Sequence, residues 1–266
     1  MKILTTPWKN DLLELVANAK HSIKITSPFV KEEICREIID AKQSKSDFEL
    51  ITSFKLMSIY SGSLDLSALE IILSANGTVK NFSKLHSKVY LFDDEKAVIT
   101  SGNLTSGGLL RNYEYGLLID DKSLLSEIQK DFKELSDNVN TGTIKKSDLE
   151  SVRNILADIP KNQSIKLPSY SIKTESPEQI FDVIEIPSEI ISKELSGWKL
   201  DVFNCLNNLS QQQFTLTDAY SSENYLKNLH PQNNNVRDKI RQQLQVLRDL
   251  GLVEFLGYGN YKKLWK

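Results

Sequence analysis

The chain has 266 residues, enough for one large domain or two modest ones. Hydrophobic residues make up 40% and charged residues 26%, the balance of an ordinary globular protein. No run approaches the ~20 apolar residues of a membrane span, the opening MKILTT lacks a secretory apolar core, and a cytoplasmic chain without a membrane partner is expected.

Net charge is −2, which alone gives no reason to expect a nucleic-acid partner. The distribution says more. Residues 1–140 carry 17 Lys+Arg against 20 Asp+Glu, and residues 141–195 carry 7 against 9. Residues 196–266 reverse the sign, with 9 against 6, as an anion-facing module would. Two cysteines stand far apart and there are only three histidines, His21, His86 and His230. Neither a disulfide nor a zinc site is expected, and no metal or other cofactor.

Helix and strand signals alternate from the start. Helical spacing covers residues 10–20, 32–42, 64–74 and 124–135. Strands are predicted at 22–30, 48–53, 78–82, 88–92, 97–100 and 113–119. Helices alternating with strands imply an α/β layer architecture, and the later run of consecutive strands makes the sheet mixed. Residues 141–195 read differently. Prolines 160, 168, 177 and 187 punctuate a Ser-, Lys- and Gln-containing stretch, with a short helix at 147–157. This is the pattern of an extended connector.

From Trp198 a compact helical unit is predicted. Residues 200–209, 218–229 and 234–250 have helical spacing, and Val236, Ile240, Leu244 and Leu247 form one stripe of the third helix. Gly251 closes that helix, and Val253 to Tyr261 suggest a tight hairpin. Three helices followed by a hairpin is the order of a winged helix–turn–helix. The third helix places Asn234, Asn235, Arg237, Arg241 and further polar residues opposite its apolar stripe. Arg, Asn and Gln can address base edges in a major groove. The first turns, Asn233 to Arg237, are expected to enter the groove. Lys262, Lys263 and Lys266 beside the hairpin are expected to contact phosphates, which sets register more than sequence.

Residues His86 to Asn103, HSKVYLFDDEKAVITSGN, carry the chemistry. His86 and Lys88 are two apart, so on a strand both point into one site. Asn103 follows seventeen residues after the histidine, with Ser101 before it. A histidine nucleophile, a cation and an amide donor suit attack on a phosphodiester.

This pattern resembles the phospholipase D superfamily motif, His-x-Lys, four residues, Asp, six residues, Gly-Ser-x-Asn. It maps onto His86, Lys88, Asp93, Ser101 and Asn103, and Thr100 stands where the family has glycine. Glu114, in NYEYGLLID, lies where nuclease members carry a glutamate. The resemblance covers about residues 1–140. It implies a phospholipase D-like mixed β-sheet flanked by helices, with His86 attacking phosphorus to give a phosphohistidine. Lys88 and Asn103 would clamp the phosphoryl oxygens, with Ser101 beside them. Glu114 would orient the histidine. No divalent metal is implied.

KIRQQLQVLRDLGLVEF is closely similar to the C-terminal winged-helix domain of Dam-replacing restriction endonucleases. The stretches SGWKLDVFNCL, FTLTDAY and LHPQNNNVRD extend the likeness to about seventy residues. The expected plan is therefore a nuclease domain at 1–140, a connector at 141–195 and a small winged helix–turn–helix domain at 196–266. It resembles the metal-independent type II restriction endonucleases that act on double-stranded DNA. Two-histidine chemistry with one His-x-Lys per chain implies a homodimer formed by the nuclease domain. Two other readings stay open: a phospholipase D-like nuclease of repair or toxin type, and a DNA-binding regulator with a degenerate nuclease domain. A lipid hydrolase is disfavoured by the DNA-reading module.

Overall fold

A computed structural model describes residues 1–158 and 187–265. Prolines 160, 168 and 177 of the expected connector, and Lys266, lie outside the described residues. The rest falls into two compact units, residues 1–54 with 62–149, and residues 55–61 with the described residues from Glu150 onward.

The first unit opens with β1 (Lys2–Thr5), α1 (Lys9–Asn18), β2 (Ser22–Thr26), α2 (Glu32–Ala41) and β3 (Asp47–Thr52). The short α3 (Leu56–Tyr60) falls with the second unit, and α4 (Leu66–Ser74) returns to the first. Then come β4 (Thr78–Asn81), β5 (Val89–Phe92), β6 (Lys96–Thr100), a π-helical turn at Gly107–Arg111, β7 (Tyr115–Ile119), α5 (Lys122–Ser136) and β8 (Gly142–Thr143). The strands form one eight-stranded mixed sheet in the order β1-β7-β6-β5-β2-β3-β4-β8. Only the β2–β3 and β3–β4 pairs are parallel. They are also the pairs whose connections carry helices, as crossover geometry requires.

The alternation of side chains along β5, β6 and β7 sets the two faces. Tyr90 is fully buried and meets Trp8, at the start of α1, edge to face with ring centroids 5.3 Å apart. Its neighbours Leu91, Ala97 and Ile119 point the other way, into a cluster with Leu125 and Phe132 of α5. Full burial of a Leu or Phe side chain contributes about 1.5–3 kcal/mol, so this pattern fixes the register. The Asp121 carboxylate accepts from Leu124 N at 2.9 Å and starts α5 where the apolar stripe begins.

Three elements of this unit were not expected. Strand β1 is too short and too exposed to alternate visibly, yet it pairs with β7 in full register. The π-helical turn has no sequence period to reveal it. Strand β8 pairs with β4, so the sheet extends past residue 140 into the stretch expected as connector.

After α6 (Lys146–Ala157) and α7 (Ser188–Glu194), the C-terminal module consists of α8 (Gly197–Asn207), β9 (Gln213–Thr215), α9 (Leu216–Tyr220), α10 (Glu223–Leu229), α11 (Val236–Asp249), β10 (Val253–Gly257) and β11 (Asn260–Lys263). The expected second helix is divided in two at Ser221 and Ser222. A capping box starts its first part, with Thr215 and Asp218 bonding each other's backbone N–H groups. The hairpin has a third strand, in the order β10-β11-β9. Ile240, Leu244 and Leu247 of α11 are fully buried, as the stripe requires. Among the described residues no helix is long and apolar enough to cross a membrane.

Candidate active site and nucleic-acid interface

Strands β5, β6 and β7 are antiparallel neighbours. The start of β5, the end of β6 and the start of β7 therefore lie at one edge of the sheet. His86 and Lys88 precede β5, Ser101 and Asn103 follow β6, and Glu114 precedes β7. Topology alone brings all five expected catalytic residues to that edge. The end of β2 joins them. Thr26 Oγ1 receives Ser87 Oγ at 3.1 Å and Val89 N at 3.0 Å, and Ser27 Oγ receives Leu104 N at 2.9 Å.

His86 is exposed and Lys88 is buried, and the Lys88 Nζ lies 3.5 Å from His86 Nε2. The two groups are thus close enough to act on one phosphate.

Ser101 and Glu114 form a pair. Ser101 Oγ donates to Glu114 Oε2 at 2.5 Å, and Asn112 Nδ2 donates to Oε1 at 3.3 Å. Tyr115 N donates to Ser101 Oγ at 3.1 Å, and Glu114 N to Thr6 Oγ1 at 3.0 Å. The serine hydroxyl thus spends its proton on the carboxylate, and holding Glu114 is its visible role. Asn112 is a site neighbour that the sequence reading missed. Its position two residues before the glutamate was the available signal.

Asn103 is placed by a close crossing of two backbones. A Cβ on Gly108 would lie 2.4 Å from Asn103 O and 2.6 Å from Asn103 N, and one on Gly102 would lie 2.5 Å from Gly108 O. Only glycine fits at either position. Two aromatic residues pin the crossing, Trp8 Nε1 donating to Gly108 O at 3.0 Å and Tyr90 Oη to Gly102 O at 3.1 Å. Burial raises the Tyr90 phenol well above its ordinary pKa, so it stays a neutral donor. The Asn103 Oδ1 is buried without a donor, a loss of about 1–3 kcal/mol of the kind borne at ligand sites.

Thr100 fits where the motif has glycine because the glycine is across the strand pair. Gly116 faces it, and a Cβ there would lie 2.8 Å from Thr100 Cβ. The Thr100 hydroxyl also receives Gly102 N at 3.1 Å. Asp93 of the motif lies away from the edge. Its carboxylate accepts Lys20 N, His21 N and Ser22 N at 2.7–2.8 Å, at the start of β2. Partial burial would raise its pKa, but the three backbone N–H bonds outweigh that and hold it below the ordinary value. Among the described residues, no three His, Cys, Asp or Glu side chains cluster as metal ligands would.

In the C-terminal module Lys227 organises the loop ahead of α11. Its ammonium donates to Pro231 O at 3.1 Å, Asn233 O at 2.7 Å and Asn234 Oδ1 at 3.2 Å. Asn233 Oδ1 receives Asn235 N at 2.8 Å. Asn233, Asn234 and Asn235 line one open concavity with Lys239 and Gln242. Arg237 is exposed but held, by Glu223 at 2.8 Å and over the Tyr220 ring at 5.1 Å. Arg241 pairs with Asp238 at 2.7 Å. Lys262 is half-buried opposite Glu254.

Lys263 corrects the expectation. It is buried, burial lowers its pKa, and its ammonium donates to Leu209 O at 2.7 Å. It ties the wing to the helices and does not face a phosphate. The strand alternation that puts Lys262 outward puts Lys263 inward.

Residues 12–136 match the family model described as cardiolipin synthase, PLD-like domain, and residues 194–263 match that of the Dam-replacing HTH domain. The chain thus joins a phospholipase D-like domain to a Dam-replacing-type helix–turn–helix domain. It is 39% identical over 46 residues to the DISARM protein DrmC of Bacillus paralicheniformis, a match spanning 17% of this chain and about a fifth (19%) of that relative. Among solved structures it is similar to Nuc, a phospholipase D family member from Salmonella typhimurium, at 17% identity and a TM-score of 0.47, covering 54% of this chain and 97% of that one. NucT from Helicobacter pylori is similar at 17% identity and a TM-score of 0.39, covering 50% of this chain and 92% of that one.

Proposed function

We propose that this protein is a DNA endonuclease of the restriction type, cutting double-stranded DNA without a divalent metal through a phosphohistidine. The observation that carries the reading is the joining, in one chain, of a His86–Lys88 pair at a phospholipase D-like sheet edge to a helix–turn–helix domain. A nuclease site joined in one chain to a DNA-binding module has DNA as its natural substrate. The reading favours a nuclease over a regulator with a degenerate domain, because His86, Lys88, Asn103 and Glu114 are all present at one edge.

In the first step His86 Nε2 attacks phosphorus, the P–O bond to the leaving nucleotide breaks, and an acid protonates the departing oxygen. Lys88 and the Asn103 amide stabilise charge on the non-bridging oxygens. In the second step water attacks the phosphohistidine, gives up a proton and restores the imidazole. The acid of the first step and the base of the second are one group, the His86 of a second subunit. The nuclease domain therefore works as a homodimer with one composite site. Glu114, held by Ser101 and Asn112, fixes the electrostatics of that site.

On the DNA-binding side, Asn233, Asn234, Asn235, Arg237 and Arg241 address the groove, and Lys262 contacts phosphate. The decisive experiment is cleavage of duplex DNA in excess EDTA. Full cleavage is expected. Activity that vanishes with EDTA and returns with magnesium would refute the mechanism.

A further inference from the structure

The wing hairpin turns through Tyr258 and Gly259, closed by the pairing of Gly257 with Asn260. Both turn residues have positive φ, +50° at Tyr258 and +75° at Gly259. A two-residue turn of this hand suits Asn-Gly, Asp-Gly or Gly-Gly. Among the described residues only Asn76, Asp93 and Tyr258 combine a side chain with positive φ. Asn and Asp tolerate that region, whereas for a bulky aromatic it is an outlier. The Tyr258 side chain is fully exposed, at 107% of its reference area, so packing of its ring does not offset the strain.

Hydrogen bonds hold the turn on both sides of Tyr258. Asn260 Nδ2 donates to Gly257 O at 3.1 Å, and Leu216 N to Gly259 O at 2.8 Å. Tyr261, just beyond, is stacked on Phe214 and edge-on to Phe255. An ill-suited residue kept at an exposed tip, on a base that does not need it, marks a function outside the module.

We infer that Tyr258 is a DNA-contacting residue, its ring packing on the sugar and base surface of the groove that the wing meets. This rests on the reading of the module as a DNA binder. An aromatic ring suits that surface because it offers large rigid area at low entropic cost, with a polar tip for the wet edge. Aromatic contacts of this kind are sequence-tolerant and carry no charge.

The test uses the full-length chain in a His86→Ala background, with a labelled duplex of about 30 base pairs at low salt. Tyr258→Asn should weaken binding about tenfold, in the range that aromatic stacking on bases spans. It should leave the salt dependence of affinity unchanged, since no phosphate contact is lost. It should also raise the thermal midpoint, because asparagine accepts the turn that tyrosine strains. Tyr258→Phe should bind within about threefold of the parent, since ring stacking is retained. Opposite signs for stability and affinity support the inference. Undiminished binding by Tyr258→Asn overturns it, as does a loss of affinity accompanied by a lower midpoint. Failure of the unsubstituted Tyr258 chain to bind any duplex overturns the DNA-binding reading as well.

Discussion

At the scale of single residues Asp93 and Glu114, the two acidic side chains expected of the phospholipase D-like pattern, separate cleanly. Glu114 stands at the candidate site edge, in contact with Ser101 and Asn112. Asp93 sits at the far end of β5 and caps three backbone N–H groups at the start of β2. Its spacing in the motif is therefore a folding requirement. Asp93→Asn is expected to cost about 2 kcal/mol of stability at neutral pH, the scale of losing charge-assisted bonds. The sign follows from the lowered carboxyl. The stabilisation is fully present above the ordinary value of 3.8 and is lost as pH falls through the depressed folded value. Denaturation of the parent and the variant should therefore converge only below about pH 4; a gap that closes at higher pH would contradict the assignment. His86→Ala is the opposite case. An exposed side chain leaves without a cavity, so folding and DNA binding should survive. Cleavage should fall at least ~100-fold, the lower scale for loss of acid–base chemistry alone. Near-normal cleavage would move the chemistry elsewhere.

At the scale of elements, sequence patterns were most legible where the burial is deepest. The short apolar runs of β5 and β6, and the 3.6-residue stripe of α11, have direct counterparts in Leu91, Ala97, Ile240 and Leu244. What stayed hidden has physical reasons. Strands β1, β8 and β9 are too short to show a period, and pairing with distant strands makes them. The break between α9 and α10 is a pair of serines in an otherwise helical run. For the candidate site, residue types and spacing pointed to the edge, but the division of labour did not show. Ser101's bond to Glu114, the Gly108 crossing and the burial of Lys263 depend on residues distant in sequence. The crossing supplies an element-scale prediction. Gly108→Ala places a methyl 2.4 Å from Asn103 O, against backbone that cannot swing aside. Overpacking of this kind costs about 1–3 kcal/mol, and here the strain lands on Asn103. The variant should fold with a lowered midpoint and lose most of its turnover while retaining DNA affinity. A variant with full turnover would show that Asn103 does not need this placement.

At the scale of the whole molecule the proposed mechanism, with one His-x-Lys pair per chain, makes a claim about assembly. A displacement through phosphohistidine needs an acid for the leaving oxygen and a base for the incoming water. His86 cannot serve, because its reactive nitrogen is bonded to phosphorus. Of the other two histidines, His21 sits at the opposite end of β2 from the site, where its backbone N–H meets Asp93. His230 is committed within the C-terminal module, bonded to Asp201 at 2.7 Å and stacked on Trp198 with ring centroids 4.0 Å apart. In the proposed mechanism a second copy of His86 is the complementary group, supplied by a twofold axis through the site. Differently tagged subunits, one carrying His86→Ala, give a purified heterodimer that tests this. With one composite site the heterodimer has one histidine where two are needed, and its cleavage should fall at least ~100-fold, as for the homodimeric variant. With two independent sites it should keep half the activity of the parent dimer. Retention of half would leave each chain to supply both proton transfers itself, and Glu114 would then be the group to examine as the acid.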